Sequence, residues 1–202
     1  CALGWACWKT YVGRPETDPL RDSAMTALGN GLHVVGAYEE ALSVRLAEVS
    51  LLRRQRGLRS ASNVLIALNN LANNYAALGR LEDALRIRQD VYSRRLKLYG
   101  KEDERTLIAA NNYASDLVEL QRFEEAKSLL RGSVSVARHV LGESYDLTLT
   151  MRRTYAHSLY CDAGAKLDDL REAVETLVDT ERIARRVLGG AHPDTEAVED
   201  NM

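Results

Sequence analysis

The strongest constraint on this chain is an internal repeat of 42 residues. Similar blocks begin at Asn69, Asn111 and Arg153, each 42 residues after the block before, and each has alanine at its fourth position. Small residues keep the same step further along, at Ala84 and Ala126. A period of this length is typical of solenoids, in which one supersecondary unit is stacked repeatedly. Because stacked units present an extended surface, the sequence favours a binding function over a buried catalytic pocket.

Each repeat predicts two antiparallel helices. Between residues 65 and 78 apolar side chains recur at spacings of three and four, which indicates the buried stripe of one amphipathic helix. Gly79 ends that stripe, and a second one runs from Leu81 to Leu98 before Gly100. Ala72 and Ala84 are small where larger side chains would hold two helices apart, so we expect close helix contacts there.

The repeat divides the chain into four predicted units. The units cover residues 18–59, 60–102, 103–145 and 146–194. We interpret residues 1–17 as the remnant of a preceding helix and a linker, with Trp5 and Trp8 packing at helical spacing, and residues 195–202 as the start of a truncated fifth repeat. The fourth unit is longer than the period, and we expect the surplus at residues 162–166 to form a longer turn between its helices.

Composition excludes several classes of protein. Hydrophobic residues make up 46% and charged residues 28% of the chain, which is typical of a folded domain. A formal net charge of −2 gives no broad basic field for nucleic-acid binding. No uncharged apolar run approaches the roughly 20 residues that cross a bilayer, so we expect a cytoplasmic protein without a membrane partner.

Catalytic and metal-binding patterns fail on spacing. The three cysteines and four histidines lack the spacing of zinc ligands, and we predict no metal site and no cofactor. Gly29 falls at the small packing position held by Ala72 in the next unit, so packing is the better interpretation than a phosphate loop. Paired acids such as Glu124 and Glu125 lie where they complement a helix dipole. We therefore predict that the chain is not an enzyme.

The segment from Leu68 to Leu85 resembles a tetratricopeptide repeat, and the 42-residue length with His-Pro-Asp-Thr at residues 192–195 is similar to the kinesin light chain subtype. The resemblance covers about residues 18–202. It implies an all-α fold, an α-solenoid of antiparallel helix pairs wound as a right-handed superhelix. Arg88 departs from the family pattern, because an aromatic or aliphatic residue is usual there.

The same resemblance implies which side chains line the concave groove, because the first helix of each unit faces it in this family. Counted from the shared alanines, the predicted peptide-binding residues are Asn30, His33, Asn69, Asn73, Asn111, Ser115, Val118, Arg153, His157 and Tyr160. Asparagine offers both donors and an acceptor to a peptide backbone. Arg153 adds a fork suited to a carboxylate.

Two classes of function follow from these expectations. The first is a scaffold or adaptor that binds extended peptide segments of a protein partner in the groove, acidic segments among them. The second is a regulatory or sensor array within a larger signalling protein, attached to a nucleotide-binding ATPase or a caspase-like protease. The resemblance covers arrays of both kinds, and the domains that flank the repeats would discriminate them.

Overall fold

The computed structural model describes residues 2–16, 18–54 and 58–188. Within these ranges the chain forms helices and no strand. Their bounds are α1 Ala2–Tyr11, α2 Pro19–Val34, α3 Tyr38–Arg54, α4 Leu58–Ala77, α5 Leu81–Tyr99, α6 Glu104–Glu119, α7 Phe123–Val140, α8 Asp146–Tyr160 and α9 Leu167–Leu188. The start of a fifth repeat expected at residues 195–202 lies outside the described residues.

The helices occur in four consecutive pairs: α2 with α3, α4 with α5, α6 with α7, and α8 with α9. Helix α4 begins at Leu58, two residues before the second predicted unit. Residues 35–37, 78–80 and 120–122 join the helices of the first three pairs, whereas residues 161–166 join α8 to α9. The longer turn expected at residues 162–166 is therefore confirmed.

Local chemistry explains where the helices start. The Asp18 side chain accepts a hydrogen bond from the Leu20 backbone N–H at 2.8 Å, and Pro19 occupies the first helical position of α2. Asp103 caps α6 in the same way, accepting from the Arg105 N–H at 2.9 Å. Acidic residues occupy the first turns of α3, α5, α7 and α9, where they complement the helix dipole as predicted.

Small residues are buried at equivalent positions of the helix pairs. Ala84 and Ala126 are completely buried at the start of α5 and α7, as predicted from the repeat. The same position holds a buried alanine in α3 and α9, and the first helices carry one at Ala72, Ala114 and Ala156. A larger side chain at these sites would push the paired helices apart.

The chain forms two compact units, an N-terminal unit of Cys1–Val91 and a C-terminal unit of Tyr92–Met202, with the boundary inside α5. In the N-terminal unit Leu28 and Leu32 form an apolar cluster against which Trp8 packs, while Trp5 is 44% exposed. The packing expected at helical spacing thus holds for Trp8 and not for Trp5, which lies on the outer face of α1.

In the C-terminal unit the core runs through α6, α7, α8 and α9 and includes Leu107, Leu130, Met151, Leu159 and Leu177. A buried cation holds the long turn against this core. Lys127 of α7 forms ion pairs with Glu124 and, at 3.0 Å, with Asp162 of the turn. The Gly164 backbone N–H and the Lys127 ammonium together lower the pKa of Asp162.

Candidate functional site

In the N-terminal unit two exposed asparagines are each held by a buried arginine of the neighbouring helix. Asn30 of α2 accepts a hydrogen bond at Oδ1 from Arg45 Nη2 of α3. Asn73 of α4 accepts one at Oδ1 from Arg88 Nη2 of α5, at 3.0 Å. Arg88 Nη1 also donates to Asn69 Oδ1 at 3.4 Å. The amides of these three predicted residues therefore belong to a defined hydrogen-bond network.

Arg45 is a buried member of this network. It is 1% exposed, and its Nη1 forms an ion pair at 2.8 Å with Glu48 Oε2, which is 3% exposed. The Thr26 hydroxyl donates a further hydrogen bond to Glu48. A Cβ atom on Gly29 would lie 2.7 Å from Arg45 Cζ, so glycine makes room for the guanidinium. The packing interpretation of Gly29 thus gains a physical reason.

The two arginine–asparagine pairs occupy equivalent positions. Arg88 follows Arg45 by 43 residues, and Asn73 follows Asn30 by 43 residues. Neither Arg45 nor Arg88 was among the predicted binding residues. The sequence signal that could have identified them is an arginine at an otherwise apolar interior position in two consecutive repeats.

His33 belongs to a second internal network. Its Nδ1 lies 2.9 Å from Asn74 Oδ1, and its ring meets Tyr38 edge to face at 5.2 Å. Asn74 is 1% exposed and donates through Nδ2 to the Tyr38 carbonyl oxygen at 2.8 Å. These contacts give half-buried His33 a role in packing, and they show Asn74 as a structural residue that sequence reasoning did not single out.

In the C-terminal unit the predicted groove residues are less accessible. Asn111 and Val118 of α6 are each 8% exposed. Ser115 is half-buried and donates through Oγ to the Asn111 carbonyl oxygen at 3.0 Å. Asn111 Oδ1 is buried and has no hydrogen-bond partner within the part of the chain that the structure describes. In this unit Leu130 occupies the register position of Arg88, so no guanidinium meets these amides.

The α8 candidates are half-buried and form a partly aromatic surface. The rings of His157 and Tyr160 lie 5.3 Å apart, and burial lowers the pKa of His157 and raises the pKa of Tyr160. Arg153 forms no hydrogen bond or ion pair with other described residues, which suits a charge available to a ligand. Its neighbour Arg152 is buried and bound to Asp179 at 2.5 Å.

Two structural findings bear on alternative functions. Among the described residues no three histidine, cysteine or acidic side chains gather closely enough to hold a metal ion. None of the helices in the described ranges combines the length and apolar character needed to cross a bilayer.

The described residues form an all-α array of consecutive helix pairs. Residues 63–138 match the family model of the tetratricopeptide repeat, and the chain has a tetratricopeptide-like fold. The all-α, tetratricopeptide-like fold expected from the sequence is thereby confirmed. No curated protein matches the chain at a significant level.

Three solved structures show what the fold is similar to. A candidate kinesin light chain of Podosopora anserina with nearly identical TPR-like repeats shares 21% identity over 92% of this chain and 83% of that chain, with a TM-score of 0.72. A point variant of that protein shares 20% identity over 93% and 84%, with a TM-score of 0.73. BtubC (BKLC) from P. vanneervenii shares 14% identity over 99% and 87%, with a TM-score of 0.71. At these identities the likeness shows the fold.

Proposed function

We propose that this chain is a non-enzymatic interaction scaffold that binds extended peptide segments of partner proteins along the first helices of its repeats. The observation that carries the proposal is the set of polar side chains on these helices, where exposed Asn30 and Asn73 are held in fixed orientations. Ordered amides can pair with the backbone of an extended peptide whatever its side chains are.

Chemistry supports proteins as the partner class. The net charge of −2 is unsuited to a phosphate backbone. Cys7 and Cys161 are free thiols, which are typical of a reducing compartment, and we accordingly propose a cytoplasmic location.

The magnitude of the contacts predicts modest affinity. Each amide hydrogen bond contributes about 0.5 to 1.5 kcal/mol, and a charge-assisted bond from Arg153 to a carboxylate about 1.5 to 3 kcal/mol. Ordering an extended peptide offsets part of this gain. We expect dissociation constants of roughly micromolar order.

A peptide screen tests the proposal. Short peptides from candidate partners are titrated against the parent chain, the double variant Asn30→Ala/Asn73→Ala, which removes the two exposed amides, and Arg153→Ala. The double variant should weaken most binders alike, whereas Arg153→Ala should weaken only peptides with a carboxylate at one position, an effect that added salt should imitate.

Asn70→Ala serves as the matched control, because Asn70 lies one residue away from the predicted row on the same helix. All variants must first show the helicity of the parent by circular dichroism. If equally helical variants bound every peptide as tightly as the parent, the groove would not be the binding surface.

A further inference from the structure

We propose that Arg45 and Arg88 fix the exposed amides of Asn30 and Asn73 as hydrogen-bond donors, and that this groove segment therefore selects peptides that present side-chain carboxylates over basic peptides. The inference rests on the proposed peptide-binding function and names the ligand chemistry of the same surface.

The arginines determine how the asparagine amides are oriented. An asparagine side chain carries an acceptor oxygen and a donor NH2 group on opposite sides of Cγ, whereas a guanidinium carries donors only. Rotating the Asn73 amide by half a turn would place its NH2 group against Arg88 Nη2, where the oxygen now accepts at 3.0 Å. Two donors cannot share a hydrogen bond, so the arginine fixes which end of the amide is turned away from it.

A ligand would contact the exposed asparagine amides and not the buried arginines. Asn30 and Asn73 are exposed, while Arg45 and Arg88 are 1% and 9% exposed. With each amide oxygen turned toward an arginine, the NH2 groups are the parts of these two side chains that point away from the guanidinium and can donate to a ligand. Arg45 is neutralised by Glu48 at 2.8 Å, so its role at Asn30 is to orient the amide rather than to supply charge.

The repeats of the N-terminal and C-terminal units differ at the arginine and asparagine positions. Arginine and asparagine occur together in the α2–α3 and α4–α5 pairs and change together further along the chain. The C-terminal unit has Leu130 and Leu177 at the arginine positions, with Ser115 and His157 at the asparagine positions. Neither of its helix pairs carries an arginine-held asparagine at this register, so donor selection is confined to the N-terminal unit.

Three degenerate pools of nine-residue peptides, identical except for a central Glu, Gln or Lys, provide the probe. Their dissociation constants are measured by fluorescence anisotropy with the parent chain, Asn73→Asp and Arg88→Leu. Asn73→Asp keeps the side-chain shape and gains an ion pair with Arg88, but it replaces the donors with an acceptor. Arg88→Leu copies Leu130 and releases the amide.

We expect the parent to bind the Glu pool about tenfold more tightly than the Lys pool, as one charge-assisted hydrogen bond allows. Asn73→Asp should abolish this preference, and Arg88→Leu should reduce it to about twofold, since a mobile amide can offer either end. Asn70→Asp is the control for charge, because it adds the same carboxylate beside the row. It should leave the preference within about twofold of the parent value.

The outcomes separate the two proposals. If the parent binds no pool, the proposed function fails and this inference fails with it. If the parent binds all pools equally, if Arg88→Leu keeps the full preference, or if Asn70→Asp matches Asn73→Asp, the donor inference is overturned while peptide binding stands. Equal helicity of the variants is confirmed first, and Asn73→Asp decides the question if Arg88→Leu loses structure.

Discussion

The N-terminal and C-terminal units have different kinds of residue at one equivalent interior position. At one register position of the second helix the N-terminal unit has Arg45 and Arg88, whereas the C-terminal unit has Leu130 and Leu177, which are at most 3% exposed. Leucine needs only apolar neighbours. Each arginine needs acceptors, and Arg45 takes them from Glu48 and Asn30. An interior position of this repeat can therefore orient a surface amide instead of filling the core.

This exchange has an energetic consequence. Removing a charge pair from water costs free energy that its mutual attraction often only balances, so a buried ion pair adds little net stability. A buried leucine contributes about 1.5 to 3 kcal/mol relative to an exposed one. We therefore expect the arginine positions to serve specificity, and the leucine positions to serve stability.

Removing one partner of the buried ion pair should have the largest effect on stability. Glu48→Ala leaves Arg45 charged at 1% exposure without its carboxylate. Because an uncompensated buried charge is strongly destabilising, we expect a loss of about 3 to 5 kcal/mol in the free energy of unfolding, measured by urea denaturation. Glu175→Ala, an exposed acid of α9, is the control and should change stability by less than about 0.5 kcal/mol.

Replacing the pair as a whole then separates charge from packing. The double variant Arg45→Leu/Glu48→Val introduces buried residues that other repeats have at these positions. Leu130 stands at the position of Arg45, and Val91 stands at the position of Glu48. We expect this double variant to recover most of the stability that Glu48→Ala loses, because apolar residues need no partner. A double variant as unstable as Glu48→Ala would show that the region depends on the ion pair itself.

A feature shared by both units should respond equally in both. Ala84 and Ala126 are completely buried at the same register of α5 and α7. Ala84→Leu and Ala126→Leu should each overpack the helix pair and cost roughly 1 to 3 kcal/mol, measured as a shift of the urea midpoint. Ala77→Leu, on the exposed end of α4, should have little effect. A large cost in one unit alone would mean that the two registers are not equivalent.

The repeat, the helix pairs and the alanine contacts could be predicted from the sequence because they depend on spacing along the chain. The long turn before α9 was predictable for the same reason, since a surplus over a fixed period must be placed somewhere. In the candidate site, the positions of the asparagines followed from their register. Their orientation did not, because it depends on hydrogen bonds from Arg45 and Arg88, which lie on another helix.

Accessibility was the other property that the sequence did not provide. Register places Asn111 with Asn69, yet Asn111 is 8% exposed and Asn69 is half-buried. The fraction of a side chain that remains exposed depends on the packing of its neighbours, and one helical stripe does not contain that information.

The smallest expected effect concerns the turn between paired helices. Gly36 and Gly79 of the N-terminal unit have φ angles of 78° and 72°, and the equivalent residue of the C-terminal unit is Gln121, with a φ angle of 57°. The backbone geometry is the same, since Gly79 donates to the Ala76 carbonyl at 2.9 Å and Gln121 donates to the Val118 carbonyl at 2.9 Å. Left-handed backbone costs a residue with a Cβ atom roughly 1 to 2 kcal/mol, of which the greater freedom of unfolded glycine offsets a part.

We therefore expect Gln121→Gly to stabilise the chain by about 0.5 to 1 kcal/mol and Gly79→Gln to destabilise it by a similar amount, both measured by urea unfolding with the slope checked for constancy. Gln121 is exposed, so its replacement removes little packing. Gln121→Ala separates the two causes, because alanine keeps the Cβ strain while deleting the rest of the side chain. It should leave stability close to that of the parent. A stabilisation by Gln121→Ala equal to that by Gln121→Gly would show that the side chain, and not the left-handed backbone, limits the stability of this turn.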